Sequence, residues 1–104
     1  MEKRNIMQTF IYVLKLIPRL YEDNSWTEND NKIIDEHFNR IKEDIIANKI
    51  IHVGRTLDTK ENGFGLVVFY AEDINEAHAY AHSDPAVLKG IMEVSCQAYK
   101  VVHT

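Results

Sequence analysis

The most strongly patterned part of the chain is residues 27–45, TENDNKIIDEHFNRIKEDI. Thr27 and Asp30 form a variant of the capping box, and the carboxylates of Glu28 and Asp30 favour the positive end of a helix. Apolar side chains then recur at three- and four-residue intervals and share one face: Ile33, Ile34, Phe38, Ile41 and Ile45. The pattern predicts a helix that begins at Thr27 and has one apolar face.

Four further segments have the composition of strands. Residues 9–17 are rich in aromatic and β-branched side chains and are followed by proline, which cannot donate to a ladder. After Asn48, which predicts a left-handed helix cap, residues 50–57 and 65–71 read as two strands. A short polar loop joins these two strands, so we expect them to pair antiparallel. The last strand is predicted at about residues 97–102.

Two shorter helices follow the third strand. Asp73 with Glu76 predicts the start of the first, and one of its faces holds Ile74, Ala77, His78 and Ala81. The other begins at Pro85, with Ser83 or Asp84 as its cap. The order β-α-β-β-α-β then predicts an α+β protein of ferredoxin-like arrangement, in which two helices cover one face of a four-stranded antiparallel sheet.

The third strand predicts an assembly. In residues 66–71, LVVFYA, both alternating sets of side chains are apolar, whereas a strand with one hydrated face should alternate with polar residues. Two helices cover only one face of the sheet. We therefore expect the second face to pack on the sheet of another copy in a symmetric homodimer. The alternative is a monomer whose third helix or termini cover that face.

Size and composition restrict the function classes. A chain of 104 residues, with 45% apolar and 27% charged residues, predicts a single globular domain over residues 1–104. The net charge of -4 argues against nucleic acid as a partner, because phosphate backbones require a positive surface. Cys96 is the only cysteine, and no signal peptide or spanning helix is predicted. We expect a cytoplasmic protein with no membrane partner.

A histidine and an aspartate form the candidate site. His37 lies four residues before Ile41, so it projects toward the sheet beside the apolar stripe. His37 and Asp84 follow the starts of their helices by ten and eleven residues, so they should lie at similar heights in this topology. An aspartate bonded to one ring nitrogen leaves the other nitrogen to exchange a proton with a substrate. The alternatives are a packed histidine with satisfied nitrogens and an aspartate that only caps the third helix.

Five segments carry a resemblance to known proteins: residues 36–38 (EHF), 53–56 (VGRT), 64–69 (FGLVVF), 84–87 (DPAV) and 90–91 (GI). Together they resemble the YciI-like (YCII-related) family over nearly the whole span from the first strand to the last. The resemblance implies a dimeric α+β barrel of ferredoxin-like subunits. It also implies that His37 and Asp84 occupy the positions of a His-Asp pair proposed as that family's active site. The family often carries an arginine a few residues before the histidine, where this chain has Lys32-Ile33-Ile34.

Three further residues are candidate substrate contacts. Arg19 and Trp26 lie in the loop after the first strand, beside the start of the long helix, where an arginine fork and an aromatic ring can hold an anionic or aromatic ligand. Trp26 can equally be a packing residue before the helix cap. Arg55, which follows Gly54, points into the same cavity, into the subunit interface or to solvent.

No metal or cofactor is predicted. His78 and His82 are four residues apart on one helical face, but no glutamate stands between them in an HExxH arrangement. The sequence also contains neither a glycine-rich phosphate loop nor a cofactor lysine motif. Cys96 has no neighbouring base or cation in sequence, so a structural thiol is expected.

Two functions are consistent with these residues. The first is a small-molecule enzyme of isomerase, lyase or hydrolase type, with His37 as general acid/base and Asp84 orienting it. Its substrate would carry a carboxylate or an enolisable carbonyl, with Arg19 or Arg55 holding the anion. The alternative is a non-catalytic dimeric module that binds a small ligand or a partner. An accessible cavity reaching His37, with Asp84 in hydrogen-bond range, would favour the enzyme.

Overall fold

The main elements follow the predicted order β-α-β-β-α-β, with a short helix before the last strand. The computed structural model describes residues 7–104. Its strands are β1 Gln8–Leu16, β2 Ile50–Arg55, β3 Gly65–Ala71 and β4 Met92–Ala98, and its helices are α1 Glu28–Ile46, α2 Ile74–His82 and α3 Pro85–Leu88. Two short 3-10 turns, Pro18–Tyr21 and Asp23–Ser25, lead from β1 to α1.

The four strands form one antiparallel sheet in the order β2-β3-β1-β4. β1 and β3 are therefore the central strands, and Tyr12 of β1 lies opposite Val67 on one side and Cys96 on the other. The predicted α+β class and four-stranded antiparallel sheet are confirmed, and the arrangement is consistent with a ferredoxin-like fold.

Helix α1 begins where the capping pattern predicted. The Thr27 side chain accepts from the backbone N–H of Asp30, and the Asp30 carboxylate accepts from the backbone N–H of Thr27. The buried stripe is narrower than predicted, because Phe38 and Ile45 are 45% and 48% exposed. The residues of α1 that are buried after its first turn are spaced four apart: Ile33, His37 and Ile41. A single ridge of α1 therefore faces the core, and His37 is at its centre.

Helices α2 and α3 meet at a tight turn that ends in Asp84. The buried side chains of α2 are Ala77, Tyr80 and Ala81, so the expected face was wrong at Ile74 and His78, both exposed. The side chains of Ala77 and Ala81 are small and fully buried, so they leave room for α2 to lie close to the sheet, and Tyr80 supplies the bulky side chain of this face. Asp84 rather than Ser83 caps α3, since its carboxylate accepts from the backbone N–H of Ala86.

The last strand lies earlier than the sequence predicted. β4 is Met92–Ala98, so the expected strand at residues 97–102 was wrong apart from its first two residues. Alternate side chains of β4 pack on the core while their neighbours are exposed, and those that pack are Met92, Val94 and Cys96. Methionine and cysteine gave only a weak strand signal, whereas the β-branched Val101 and Val102 lie beyond the strand's end. β2 likewise ends at Arg55, two residues earlier than expected.

The core fills the space between the sheet and the helices in two clusters. The larger cluster includes four aromatic rings, those of Phe10, Tyr12, Phe69 and Tyr80. The second cluster joins α1 to α3 and contains Leu20, Ile33, Ala86 and Ile91. His37 lies one helical turn from Ile33 of the second cluster and one turn from Ile41 of the first. The histidine is therefore held between two packed regions.

Within residues 7–104, no helix has both the length and the hydropathy that a membrane crossing requires.

We expect Thr27→Ala to lower the free energy of unfolding by about 1 kcal/mol, because the start of α1 loses its side-chain acceptor. Urea denaturation followed by far-ultraviolet circular dichroism measures the change. Asn29→Ala is the matched control, since Asn29 is exposed in the same first turn and does not cap it. Equal unfolding free energies for the two variants would contradict the capping role.

Candidate active site

The structure brings His37 of α1 and Asp84 of the α2–α3 turn into contact. His37 Nδ1 lies 2.8 Å from Oδ1 and 2.8 Å from Oδ2 of Asp84. The two side chains are 5% and 0% exposed. Helices α1 and α2 therefore place the two residues at matching heights, as the topology predicted, although they are 47 positions apart in sequence.

Asp84 receives hydrogen bonds from three parts of the chain. Besides His37, Tyr12 Oη of β1 donates to Oδ2 at 2.9 Å, and the backbone N–H of Ala86 donates to Oδ1 at 3.0 Å. Burial would raise the pKa of Asp84, but the hydrogen bonds and charge of His37, with those of Ala86 and Tyr12, lower it below its usual value. Asp84 is therefore an ionised acceptor at neutral pH, so His37 Nδ1 carries the proton between them.

Tyr12 is the member of this site that the sequence did not reveal. Its side chain is fully buried between the sheet and the helices. Burial, together with the negative charge of Asp84, raises the pKa of Tyr12 far above its usual range, so the hydroxyl stays a donor. The alternation of β1 placed Tyr12 on the same face as the core residues Phe10 and Leu14, and a buried tyrosine hydroxyl needs a partner. The need of a buried tyrosine for a hydrogen-bond partner was therefore the sequence signal that could have identified Tyr12.

The second nitrogen of His37 is the free one. Among residues 7–104, no hydrogen bond is formed by His37 Nε2, and every fully buried side-chain nitrogen or oxygen there has a partner. Nε2 is therefore not fully buried. His37 also lines a cavity of about 520 Å³, a volume typical of small-molecule sites. The imidazole thus has one nitrogen fixed by a carboxylate and one without a partner among the described residues, in a side chain that lines a ligand-sized space.

The cavity lies between α1, the ends of the strands next to it and the loop between β2 and β3. Its lining is mainly apolar and includes Leu20, Ile34, Phe38, Val53, Phe64 and Met92. Polar side chains come mostly from the β2–β3 loop and the residues just before it, among them Arg55, Thr56 and Lys60. Lys60 also forms an ion pair with Asp23, with 2.9 Å between Nζ and Oδ1, which ties this loop to the turn before α1.

Two of the three expected substrate contacts line this cavity, and the third does not. Trp26 lines the cavity, with its Nε1–H donated to the carbonyl of Leu20 at 3.0 Å. Arg55 also lines the cavity, is exposed, and forms no ion pair with any of the described carboxylates.

Arg19 is not among the residues that line the cavity. Its guanidinium grips the Asp30 carboxylate with two hydrogen bonds of 2.8 and 2.9 Å. The bonds from Arg19 hold the pKa of Asp30 well below its usual value. The structure therefore gives Arg19 a role at the start of α1 instead of bringing it to the other candidate residues.

No group of three or more His, Cys, Asp or Glu side chains within residues 7–104 is arranged to hold a metal ion. His78 and His82 stack on the exposed face of α2, with 6.0 Å between their ring centroids. Burial raises the pKa of the Cys96 thiol, which packs on the larger core cluster.

Comparisons with known proteins confirm the resemblance carried by the five segments. The sequence model of the YCII-related domain matches residues 13–96. A solved structure of similar fold is 5-chloro-2-hydroxyhydroquinone dehydrochlorinase from Burkholderia phenoliruptrix AC1100, in complex with 2,5-dihydroxybenzoquinone. Its TM-score is 0.60 at 20% sequence identity, over 88% of this chain and 93% of that chain. No curated protein matches the chain.

The depressed pKa of Asp84 predicts a pH-dependent stability. A carboxylate whose pKa is lower in the folded state stabilises that state fully above its unfolded pKa of about 3.9, and this contribution is lost as the pH falls through the folded pKa. We expect Asp84→Asn to be less stable than the natural chain near neutral pH, with the difference shrinking as the pH falls below about 4.

Urea denaturation of both chains over this pH range measures the difference in unfolding free energy. Asp35→Asn is the control, because Asp35 is an exposed carboxylate of α1 outside the site. A difference for Asp84→Asn that stays constant from neutral to acid pH would contradict the ionised, hydrogen-bonded state of Asp84.

Proposed function

We propose that this protein, which belongs to the YCII-related family, is a small-molecule enzyme in which His37 acts as general acid/base and Asp84 orients it. The observation that carries the proposal is that the two nitrogens of the His37 ring have different surroundings. Nδ1 is bonded to a buried carboxylate, while Nε2 has no partner among the described residues and belongs to a side chain that lines a ligand-sized cavity. This is the arrangement that general acid/base catalysis requires of a histidine.

The charge of Asp84 supports the chemical step. When Nε2 takes a proton from a substrate, the ring becomes an imidazolium, and the carboxylate at Nδ1 stabilises that cation. The electron pair left on the substrate then shifts a double bond or expels an anionic leaving group, so isomerisation and elimination both need only this dyad. Hydrolysis, with Nε2 activating a water, is a third use of the same groups.

The lining of the cavity supports a planar, largely apolar substrate with an acidic group. Trp26 and Phe38 supply aromatic surface to the cavity, and Arg55 supplies a cation without a carboxylate partner among the described residues. The dehydrochlorinase of similar fold, whose structure contains 2,5-dihydroxybenzoquinone, makes hydroxylated six-membered rings the first class to examine. Arg55 would bind an ionised oxygen of such a ring, leaving a proton of the substrate near Nε2.

We further propose that the protein acts as a homodimer, a dimeric α+β barrel, through the sheet face opposite the helices. Val13 of β1 and Leu66 of β3 alternate with the core-facing residues of their strands and are only partly buried in the single chain, so they supply apolar surface to that face. Polar side chains flank them on β4, where Ser95 is paired with Val13. An apolar centre with a polar border is typical of an isologous interface.

A single domain and a cytoplasmic location stay predictions from composition.

We expect His37→Gln to lower turnover by at least about 100-fold while ligand affinity changes little, because the variant keeps the cavity and loses the acid/base group. Trp26 is the only tryptophan, and it lines the cavity, so quenching of its fluorescence by 2,5-dihydroxybenzoquinone reports occupancy. Chloride release from 5-chloro-2-hydroxyhydroquinone reports turnover.

His78→Gln is the control for this experiment, since His78 is an exposed histidine on α2 away from the cavity lining. Quenching that saturates, without any turnover by the natural chain, would favour the non-catalytic binding module. Equal turnover by His37→Gln and the natural chain would rule out the acid/base role of His37.

For the dimer, we expect the natural chain to sediment at twice its chain mass and Val13→Lys to shift it toward the monomer, because a buried unpaired ammonium opposes association. Analytical ultracentrifugation measures both. Asn39→Lys, an exposed position on α1, is the control for added charge. A natural chain that stays monomeric at high concentration would refute the dimer.

A further inference from the structure

We propose that Arg40 is a positioning residue that fixes Asp84 against His37 by gripping the end of helix α2. The inference rests on the function proposed for the His37–Asp84 pair, and it adds a residue that touches neither the cavity nor the pair itself. Arg40 follows His37 by three residues on α1, so both side chains project from neighbouring turns of one helix.

The guanidinium of Arg40 bonds to Tyr80 in the last turn of α2 and to Ser83, the residue that caps this helix. Its Nη1 donates to Ser83 Oγ at 2.9 Å, and its Nη2 donates to the backbone carbonyl of Tyr80. Ser83 Oγ donates in turn to the same carbonyl at 2.8 Å. Ser83 directly precedes Asp84, so the arginine fork holds the backbone that carries the aspartate.

Neighbouring groups keep this fork in place. The guanidinium carbon of Arg40 lies 4.1 Å from the centroid of the Tyr80 ring, and Arg40 Nε lies 3.7 Å from Asp44 Oδ2. Tyr80 Oη donates to Asp44 Oδ2, which closes a ring of contacts between α1 and α2. The side chain of Arg40 is only 17% exposed. A charge-assisted contact that is shielded to this degree is stronger than an open surface ion pair.

The other contacts of Asp84 do not hold the backbone that precedes it, which is the part that Arg40 holds. Tyr12 anchors the carboxylate to the sheet, and the N–H of Ala86 belongs to the same turn as Asp84. Ala86 packs in one cluster with Ile33 of α1, which secures the chain after Asp84. Arg40 secures the chain before it. A cation at the negative end of α2 is also favourable in itself.

The hydrogen bonds of Arg40 matter because a displaced Asp84 carboxylate would lose its hydrogen bond from His37 Nδ1. Small errors in the placement of an orienting group weaken proton transfer strongly. Without Arg40, α1 would be joined to the Ser83–Asp84 turn by the hydrogen bond of His37 alone among the side-chain bonds described. Thermal motion of the turn would then weaken this hydrogen bond, and the Nε2-protonated tautomer of His37 would become more populated.

The test is the tautomer of His37 in Arg40→Met, read from the ¹⁵N chemical shifts of the neutral imidazole. We expect the ratio of Nδ1-protonated to Nε2-protonated ring to fall about fivefold, which corresponds to the loss of one hydrogen bond of average net strength. Arg40→Lys keeps the charge and loses the fork, so it should show a smaller fall and serves if Arg40→Met does not fold. An unchanged ratio in a folded variant overturns the proposal.

Lys89→Met is the matched control. Lys89 also pairs with a residue of α1, Glu36, at 3.7 Å, but this pair is about half exposed and does not hold the Ser83–Asp84 turn. We expect the tautomer ratio of His37 in Lys89→Met to equal that in the natural chain. An equal fall of this ratio in Lys89→Met and Arg40→Met would show a general loosening of the fold and overturn the proposal.

This readout needs no substrate, so it is independent of whether the protein turns over any compound. If turnover is found, Arg40→Met should lower kcat about tenfold with KM within about twofold, because Arg40 does not contact the cavity. A rise in KM without a fall in kcat would overturn the positioning role. Failure of the proposed function shows instead as absence of turnover with the tautomer shift intact.

Discussion

A carboxylate without solvent contact must find its hydrogen-bond donors inside the protein, and Asp84 takes them from three separate elements. Tyr12 belongs to β1, His37 to α1 and the Ala86 N–H to α3. Desolvating an ionised group is costly, by several kcal/mol unless partners replace the water. These donors are therefore a requirement of the fold, and they fix the distances between the sheet and two helices at one point.

The same constraint explains why capping and site formation coexist in one residue. The sequence left open whether Asp84 caps a helix or pairs with a histidine. The structure shows both contacts on one carboxylate, with Oδ1 accepting from Ala86 and both oxygens within 2.8 Å of His37 Nδ1. A cap holds its carboxylate in one place relative to the backbone, so it also gives the imidazole a fixed acceptor. Stability and orientation of the ring then depend on the same group.

Most parts that the sequence predicted have local signals, whereas the pairing of His37 with Asp84, 47 positions apart, followed from the predicted topology. Thr27 and Asp30 are three residues apart and marked the start of α1, and Asn48 adopts the left-handed conformation expected of its cap, with φ of 60°. The contact of Tyr12 with Asp84 spans 72 positions, so no local pattern could reveal it. The pairing of Arg19 with Asp30 was missed for a different reason. Each residue had a separate local role, and only the path of the turns after β1 brings them together.

Most of the polar lining of the cavity and the His37–Asp84 pair depend on different parts of the chain. The pair is built on core strands and helices, whereas much of the polar lining comes from residues 55–60 at the end of β2 and the loop after it. That loop follows a narrow path, since a Cβ at Gly63 would lie 2.0 Å from the carbonyl oxygen of Asp58. Side chains such as Thr59 line the cavity without entering the core. Changes at such positions can therefore alter what the cavity accepts, while the imidazole and its carboxylate stay where packing holds them.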